Sequence, residues 1–243
     1  MTSLLEQANS EANREKFLNR IAKAAGRPRH TVKAFEPLND LPDQVLADQS
    51  PEELLATAKT NSEAVAAKFY TCAKDDLASF LNQYLADIQA ETLLLPGFKD
   101  DKWANYGLSD WVKKPEVKQT TVWSTDPGDR RKNAEAADQA DLAIGFADYL
   151  IANTGTITVV TSPEQGRAFN YLPEHYLALI PKSGLVRSTR QAVEKYEAMM
   201  ADGLQTSAIN FISGPSNSGD IEMELVVGVH GPVDCAYVVV ADL

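Results

Sequence analysis

Cysteine is scarce in this chain, with Cys72 and Cys235 the only two in 243 residues. Two thiolates cannot complete the ligand set of an ordinary iron–sulfur cluster, and such sparse usage fits a reducing compartment better than a secreted disulfide framework. Histidine is almost as rare: His30, His175 and His230 stand singly. No H-x-x-x-H or C-x-x-C spacing occurs, so neither a tightly held metal nor another resident cofactor is expected.

Positive charge is also short, 23 Lys and Arg against 34 Asp and Glu, for a formal net charge of −11. Nucleic-acid binding through counterion release needs clustered cations, and an anionic membrane surface needs the same, so both are disfavoured. No apolar run approaches the ~20 residues of a membrane helix. The start, MTSLLEQANSEANREKF, lacks the basic segment and apolar core of a secretory signal. A cytoplasmic protein without a membrane span is the expectation. Absence of a Walker sequence, and of a G-x-G-x-x-G after a first strand, argues against a nucleotide-binding dehydrogenase.

What is present suggests one domain with an N-terminal appendage, against a prior of roughly 150 residues per domain. Ser10 to Ala25 reads as a helix with Phe17, Leu18, Ile21 and Ala25 on one face, ended by Gly26. Arg27 to Asp48 carries Pro28, Pro37 and Pro42 and reads as an extended arm. Such an arm can lie along the core or exchange with a second subunit in a homodimer, and the sequence leaves both open. The division expected is therefore 1–48, helix and arm, and 49–243, the main domain.

Ser50-Pro51-Glu52-Glu53 has the capping-box pattern of a helix start, with a helix running to about Ala67. A strand over Lys68–Cys72 follows, and then a helix whose Leu77, Phe80, Leu81, Tyr84, Leu85 and Ile88 form one stripe. Leu93–Leu95 reads as a buried strand. Asp101–Lys114 reads as a loop with helical turns, whose Trp103, Tyr106 and Trp111 serve as packing. Thr120–Trp123 is a strand candidate, and Asp126-Pro127 opens a helix. Asp141–Gly145, Tyr149–Ala152 and Thr156–Thr161 suggest three strands separated by turns.

Ser162-Pro163-Glu164-Gln165 repeats the capping pattern at the end of the third, predicting a helix start there, with Arg167 in its second turn. His175–Ile180 is a strand, and Ser188-Thr189-Arg190-Gln191 opens a helix with Ala192, Val193, Tyr196 and Met200 inward. The apolar runs Ala208–Ile212 and Cys235–Val240 complete the set. This alternation predicts an α/β fold: a mainly parallel sheet with helices on both faces and an N-terminal helical extension.

Between the last two strands lies the densest small-polar stretch, Ser213–Asp220, followed by Glu222, Glu224 and a turn at Gly228–Pro232. Loops at the carboxyl ends of strands are where open α/β sheets hold ligands, although the same residues build ordinary turns. The pocket expected is one for a small anionic metabolite. Its lining would be the hydroxyls and amides of Thr154, Gly155, Thr156, Ser213, Gly214, Ser216, Asn217 and Gly219, with Arg167 as the cation. Asp220, Glu222 and His230 are the candidates for acid–base work. Equally, Glu222 can be a solvated side chain and Asp220 a cap.

Two stretches carry a resemblance. ISGPSNSGDIEMELVVGVHGP at Ile212–Pro232, and ANTGTITVVT at Ala152–Thr161 followed by Gly166-Arg167 and Leu172-Pro173, resemble the signatures of the lactate-utilisation (LUD) domain family, the LutC/YkgG proteins. The resemblance covers roughly Pro51 to the end. It implies a fold like the ribose-phosphate isomerase, glucosamine-phosphate deaminase and CoA-transferase group (NagB/RpiA/CoA-transferase-like). It also implies a component of a multi-protein system oxidising L-lactate to pyruvate, with iron–sulfur centres on partner subunits. The other readings are a stand-alone enzyme acting on a sugar phosphate or CoA ester, and a non-catalytic assembly subunit. The family commonly has an acidic residue where this chain has Asn153, and often a basic one where it has Asn217.

Overall fold

The computed structural model describes residues 10–29, 38–221, 224–228, 230–241 and 243. Contacts divide the chain into two compact units, residues 1–40 and 41–243. In the first, Ser10 caps helix α1 (Glu11–Ala24) by accepting from Asn13 N at 3.3 Å. The expected apolar stripe forms, but Phe17 and Ile21 stay 54% and 49% exposed.

In chain order the second unit contains α2 (Leu41–Gln44), α3 (Pro51–Ala64), β1 (Lys68–Cys72), α4 (Leu77–Asp87), β2 (Thr92–Leu95), α5 (Asp100–Asn105) and β3 (Gln119–Val122). Then come α6 (Arg130–Asp138), β4 (Leu142–Phe146), β5 (Tyr149–Ile151), β6 (Thr156–Val160), α7 (Arg167–Tyr171), β7 (His175–Pro181) and β8 (Leu185–Val186). Helix α8 (Thr189–Ala201), β9 (Ile209–Ile212), β10 (Asn217–Ile221), β11 (Glu224–Val227) and β12 (Asp234–Val240) complete it. Helix α2 corrects the expectation of a wholly extended arm. Pro42 stands at its second position, where a missing N–H breaks no helical bond. Residues 30–37 of that arm lie outside the described residues.

Six strands form an all-parallel sheet in the order β1-β12-β7-β4-β2-β3. Its central strands alternate between two cores. Tyr176, Ala178, Ile180, Cys235, Tyr237 and Val239 enter one, and Leu177, Leu179, Ala236, Val238 and Val240 the other. Full burial of such a side chain contributes about 1.5–3 kcal/mol, which is why strands covered on both faces read as nearly continuous apolar runs. On the second face Leu77, Leu81, Tyr84 and Leu85 of α4 are buried, with Phe80 and Ile88 partly so. Trp103, Tyr106 and Trp111 pack in the same core, as their expected role requires.

Helices α3, α6 and α7 cover the first face together with a second sheet, β8-β5-β6-β9. That sheet departs from the expectation, since β5, β6 and β9 leave the main sheet. The reason is connection length. Only Ala147 and Asp148 separate β4 from β5, and parallel neighbours need a crossover of about a dozen residues. Strand β5 therefore turns away and pairs antiparallel with β6, which pairs antiparallel with β9. The stretch expected as a loop after β9 is likewise part strand, because β10 and β11 pair as an antiparallel hairpin. No helix among the described residues is long and apolar enough to cross a membrane.

Candidate functional site

The two signature stretches do meet. Strands β6 and β9 run side by side, Ile157 opposite Ile212, and the next hydroxyls, Thr156 Oγ1 and Ser213 Oγ, lie 2.7 Å apart. The space between Gly155 and Gly214 is nevertheless taken by the end of α3. A Cβ on Gly155 would stand 2.3 Å from the Asn61 carbonyl carbon, and one on Gly214 would stand 1.8 Å from Val65 O. Both glycines have positive φ, +63° and +69°. Their amides are used internally: Gly155 N donates to Ile151 O at 3.0 Å and Gly214 N to the Tyr237 hydroxyl at 2.7 Å. The close approach that glycine permits here serves the chain's own helix.

The segment around Ser162, expected to open a helix that carries Arg167 to the pocket, lies elsewhere. Ser162 lies beyond the far end of β6 from Thr156, and the four strand residues that follow Thr156, at roughly 3.3 Å each, separate the two. No helix opens at Ser162 either. Its hydroxyl accepts from Glu164 N and Gln165 N at 3.2 and 3.1 Å, but Gln165 turns inward instead of reaching back. Helix α7 starts at Arg167, after the cap Gly166, and is five residues long. Arg167 is exposed, and Thr154 is exposed in its turn.

An open cavity of about 220 Å³ lies between the loop after β9 and the start of β12. Tyr171, Phe211, Ile212, Pro215 and Pro232 give it apolar walls, and Cys235 belongs to its buried side. The polar side chains among its described lining are Asn170, Ser213, Ser216 and His230. Gly214 lines it as well. Burial, and then the nearby Asp234 charge, push the Cys235 thiol up to about 12, so it remains a neutral wall. Burial raises the Tyr171 phenol, with Arg167 opposing.

Of the expected site residues, Ser213, Gly214, Ser216 and His230 thus share one cavity, and Thr156 stands behind Ser213. Asn217 is exposed in β10, and Gly219 and Asp220 lie in the same strand. Glu222 lies outside the described residues. Asn170 and Tyr171 were not anticipated. The Gly166-Arg167 and Leu172-Pro173 pairs bracket them, but nothing local marks an Asn in a short helix as a site residue.

A parallel sheet covered on both faces defines the molecule as an α/β protein. Residues 55–240 match the LUD domain, and the chain belongs to that family. It is similar to Lactate utilization protein C of Geobacillus kaustophilus, 39% identical over 234 residues, 95% of this chain and 97% of that protein. The same-named protein of Shouchella clausii is 37% identical over 232 residues, 95% of this chain and 98% of the other. That of Bacillus subtilis is 35% identical over 234 residues, covering 95% and 97%. Among solved structures, the crystal structure of a DUF162 family protein from Deinococcus radiodurans superposes with a TM-score of 0.56 at 20% identity. The match covers 79% of this chain and 99% of that one, and it establishes the likeness of fold.

Proposed function

We propose that this protein is a component of a cytoplasmic lactate-utilisation system that oxidises L-lactate to pyruvate, and that iron–sulfur partner subunits carry the electrons. The observation that carries the reading is the near full-length similarity to three proteins named Lactate utilization protein C, at 35–39% identity. Oxidising a 2-hydroxy acid to a 2-oxo acid releases two electrons and two protons, which need an acceptor. Cys72 and Cys235 face opposite cores across the sheet, so they cannot jointly ligate a cluster, and this supports placing the cluster on other subunits. The cavity beside β12 is the candidate site for the small anionic metabolite.

Deleting the gene tests the assignment. Growth on L-lactate should be lost and should return with the wild-type copy, while growth on glucose is unaffected. Unchanged growth and unchanged lactate uptake would refute the role. Purification of the tagged full chain from lactate-grown cells should bring down Cys-rich proteins with iron–sulfur absorbance; recovery of the chain alone removes the partner assignment.

A further inference from the structure

Helix α1 carries its large apolar residues on a face that its own chain leaves uncovered: Phe17 and Ile21 are 54% and 49% exposed, and Leu18 is only half-buried. The same stretch is the cationic part of an acidic protein. Between Ser10 and Arg29 stand six Lys and Arg against two Glu, which leaves 17 against 32 in the rest of the chain. A helix with this pairing of features is complementary to a surface that is apolar and acidic.

The second unit exposes such a surface beside its cavity. Leu172 is 41% exposed, and Phe211, Val227 and Val233 are each 43% exposed. Phe211 lines the cavity, as do Tyr171 and Pro232, the chain neighbours of Leu172 and Val233. Val227 joins them through Gly228, where a Cβ would lie 2.4 Å from Val233 Cγ1. Exposed apolar residues scattered singly need no explanation, but four gathered around one cavity mark a surface that becomes covered. Acids accompany them. The hairpin segment Asn217–Val227 contains three acids and no Lys or Arg, and Glu174, with a side chain 62% exposed, accepts from Val233 N through its carbonyl at 2.9 Å. Arg167, exposed in α7, is the cation that opposes them.

We propose that two copies of this chain exchange helix α1, each laying Phe17, Leu18 and Ile21 against the Leu172, Phe211, Val227 and Val233 patch of the other. One chain thus carries both halves of the junction and leaves both uncovered by itself, and reciprocal exchange about a two-fold axis closes without leaving either half over. Packing of α1 against its own copy would bring two cationic helices together, and that repulsion favours the acidic patch as the occupant's seat.

Sedimentation velocity of the full chain tests this, and the expected species is a dimer that weakens with added salt, because attraction between exposed charges is screened. Phe17→Gln together with Ile21→Gln removes the apolar face but keeps the helix charge, and Phe211→Lys sets a cation in the patch. Each should weaken the dimer roughly tenfold or more, with unchanged circular dichroism since all three positions are exposed. Mixing the two variant proteins should then restore a dimer, because the α1 of the Phe211→Lys chain still meets an intact patch on the other. A monomeric wild type overturns the proposal, and flotation of that monomer with phosphatidylserine vesicles would give α1 to a lipid surface instead. A dimer indifferent to salt or to either variant also overturns it, as does a mixture that stays monomeric.

Discussion

Thr156 Oγ1 and Ser213 Oγ share a hydrogen bond of 2.7 Å, although 57 positions separate them in the chain. The bond joins the starting residue of β6 to the first residue beyond β9 and fixes where the Ser213–Ser216 loop leaves the second sheet. The loop is further held by Tyr237 and by the end of α3, so its inner side is packed and only its outer side borders the cavity.

Because α3 fills the space behind both signature glycines, Gly155→Ala and Gly214→Ala should each destabilise the fold. Positive φ costs a side chain about 1–2 kcal/mol and overpacking about 1–3 kcal/mol, so roughly 2–5 kcal/mol is expected for each. Urea denaturation reads this directly. A midpoint equal to wild type for either variant would mean that α3 is not seated as described.

Tyr237 donates its buried hydroxyl to Ile212 O at 2.9 Å and accepts from Gly214 N at 2.7 Å. Tyr237→Phe removes both bonds and leaves the Gly214 amide without an acceptor, at a cost of about 1–3 kcal/mol. Hydrogen exchange at Gly214 should accelerate well beyond that of neighbouring β12 amides. Exchange as slow as in wild type would show that another group can satisfy this amide.

Two aspartates should pull stability in opposite directions with pH. Burial raises Asp148 above the ordinary value near 3.8, despite hydrogen bonds from Val160 N and Tyr196 and the nearby Lys102. A raised carboxyl favours folding while protonated, and that contribution is lost as pH rises through its folded value. Burial also acts to raise Asp234, but contacts with His175 and Lys68 outweigh it and hold it below 3.8. Its contribution is present above the ordinary value and is lost as pH falls through the lowered one. In a denaturation series from about pH 3 to about pH 7, Asp148→Asn should gain on wild type as pH rises, and Asp234→Asn should lose. Parallel stability curves for all three proteins would show that neither carboxyl is coupled to folding in this way.

Cys235 borders the cavity but is 1% exposed, with its thiol pushed up to about 12. Only a minute thiolate fraction exists near neutral pH, and the thiolate is the reactive form. Iodoacetamide should label Cys235 in the unfolded chain and leave it unmodified in the native one, as peptide mass spectrometry would show. Rapid native labelling would mean that this cavity wall opens to solvent.

Three stretches show how far local pattern carries. Ser50–Glu53, Ser162–Gln165 and Ser188–Gln191 all match the same capping pattern. At Ser50 both reciprocal bonds form, at 3.3 and 2.8 Å. At Ser188 the helix starts, but Gln191 accepts from Arg187 N at 2.9 Å and the Ser188 hydroxyl is unpartnered among the described residues. At Ser162 a competing tertiary partner, Phe146, claims Gln165, and no helix begins. Along α8, Ala192 and Tyr196 are buried as expected, whereas Val193 and Met200 are 40% and 47% exposed.

Charge balance, the positions of most strands and of the long helices, the parallel character of the main sheet and the family resemblance were all legible in the residues themselves. Each depends on composition or on spacing within a few residues, where backbone hydrogen bonding and alternating burial are decided. Which sheet each strand joined, what filled the gap between Gly155 and Gly214, and the gathering of Leu172, Phe211, Val227 and Val233 around one cavity belong to tertiary structure. Those outcomes depend on connection lengths and on partners such as Phe146, Gln165 and Asn61, brought together only when distant segments pack.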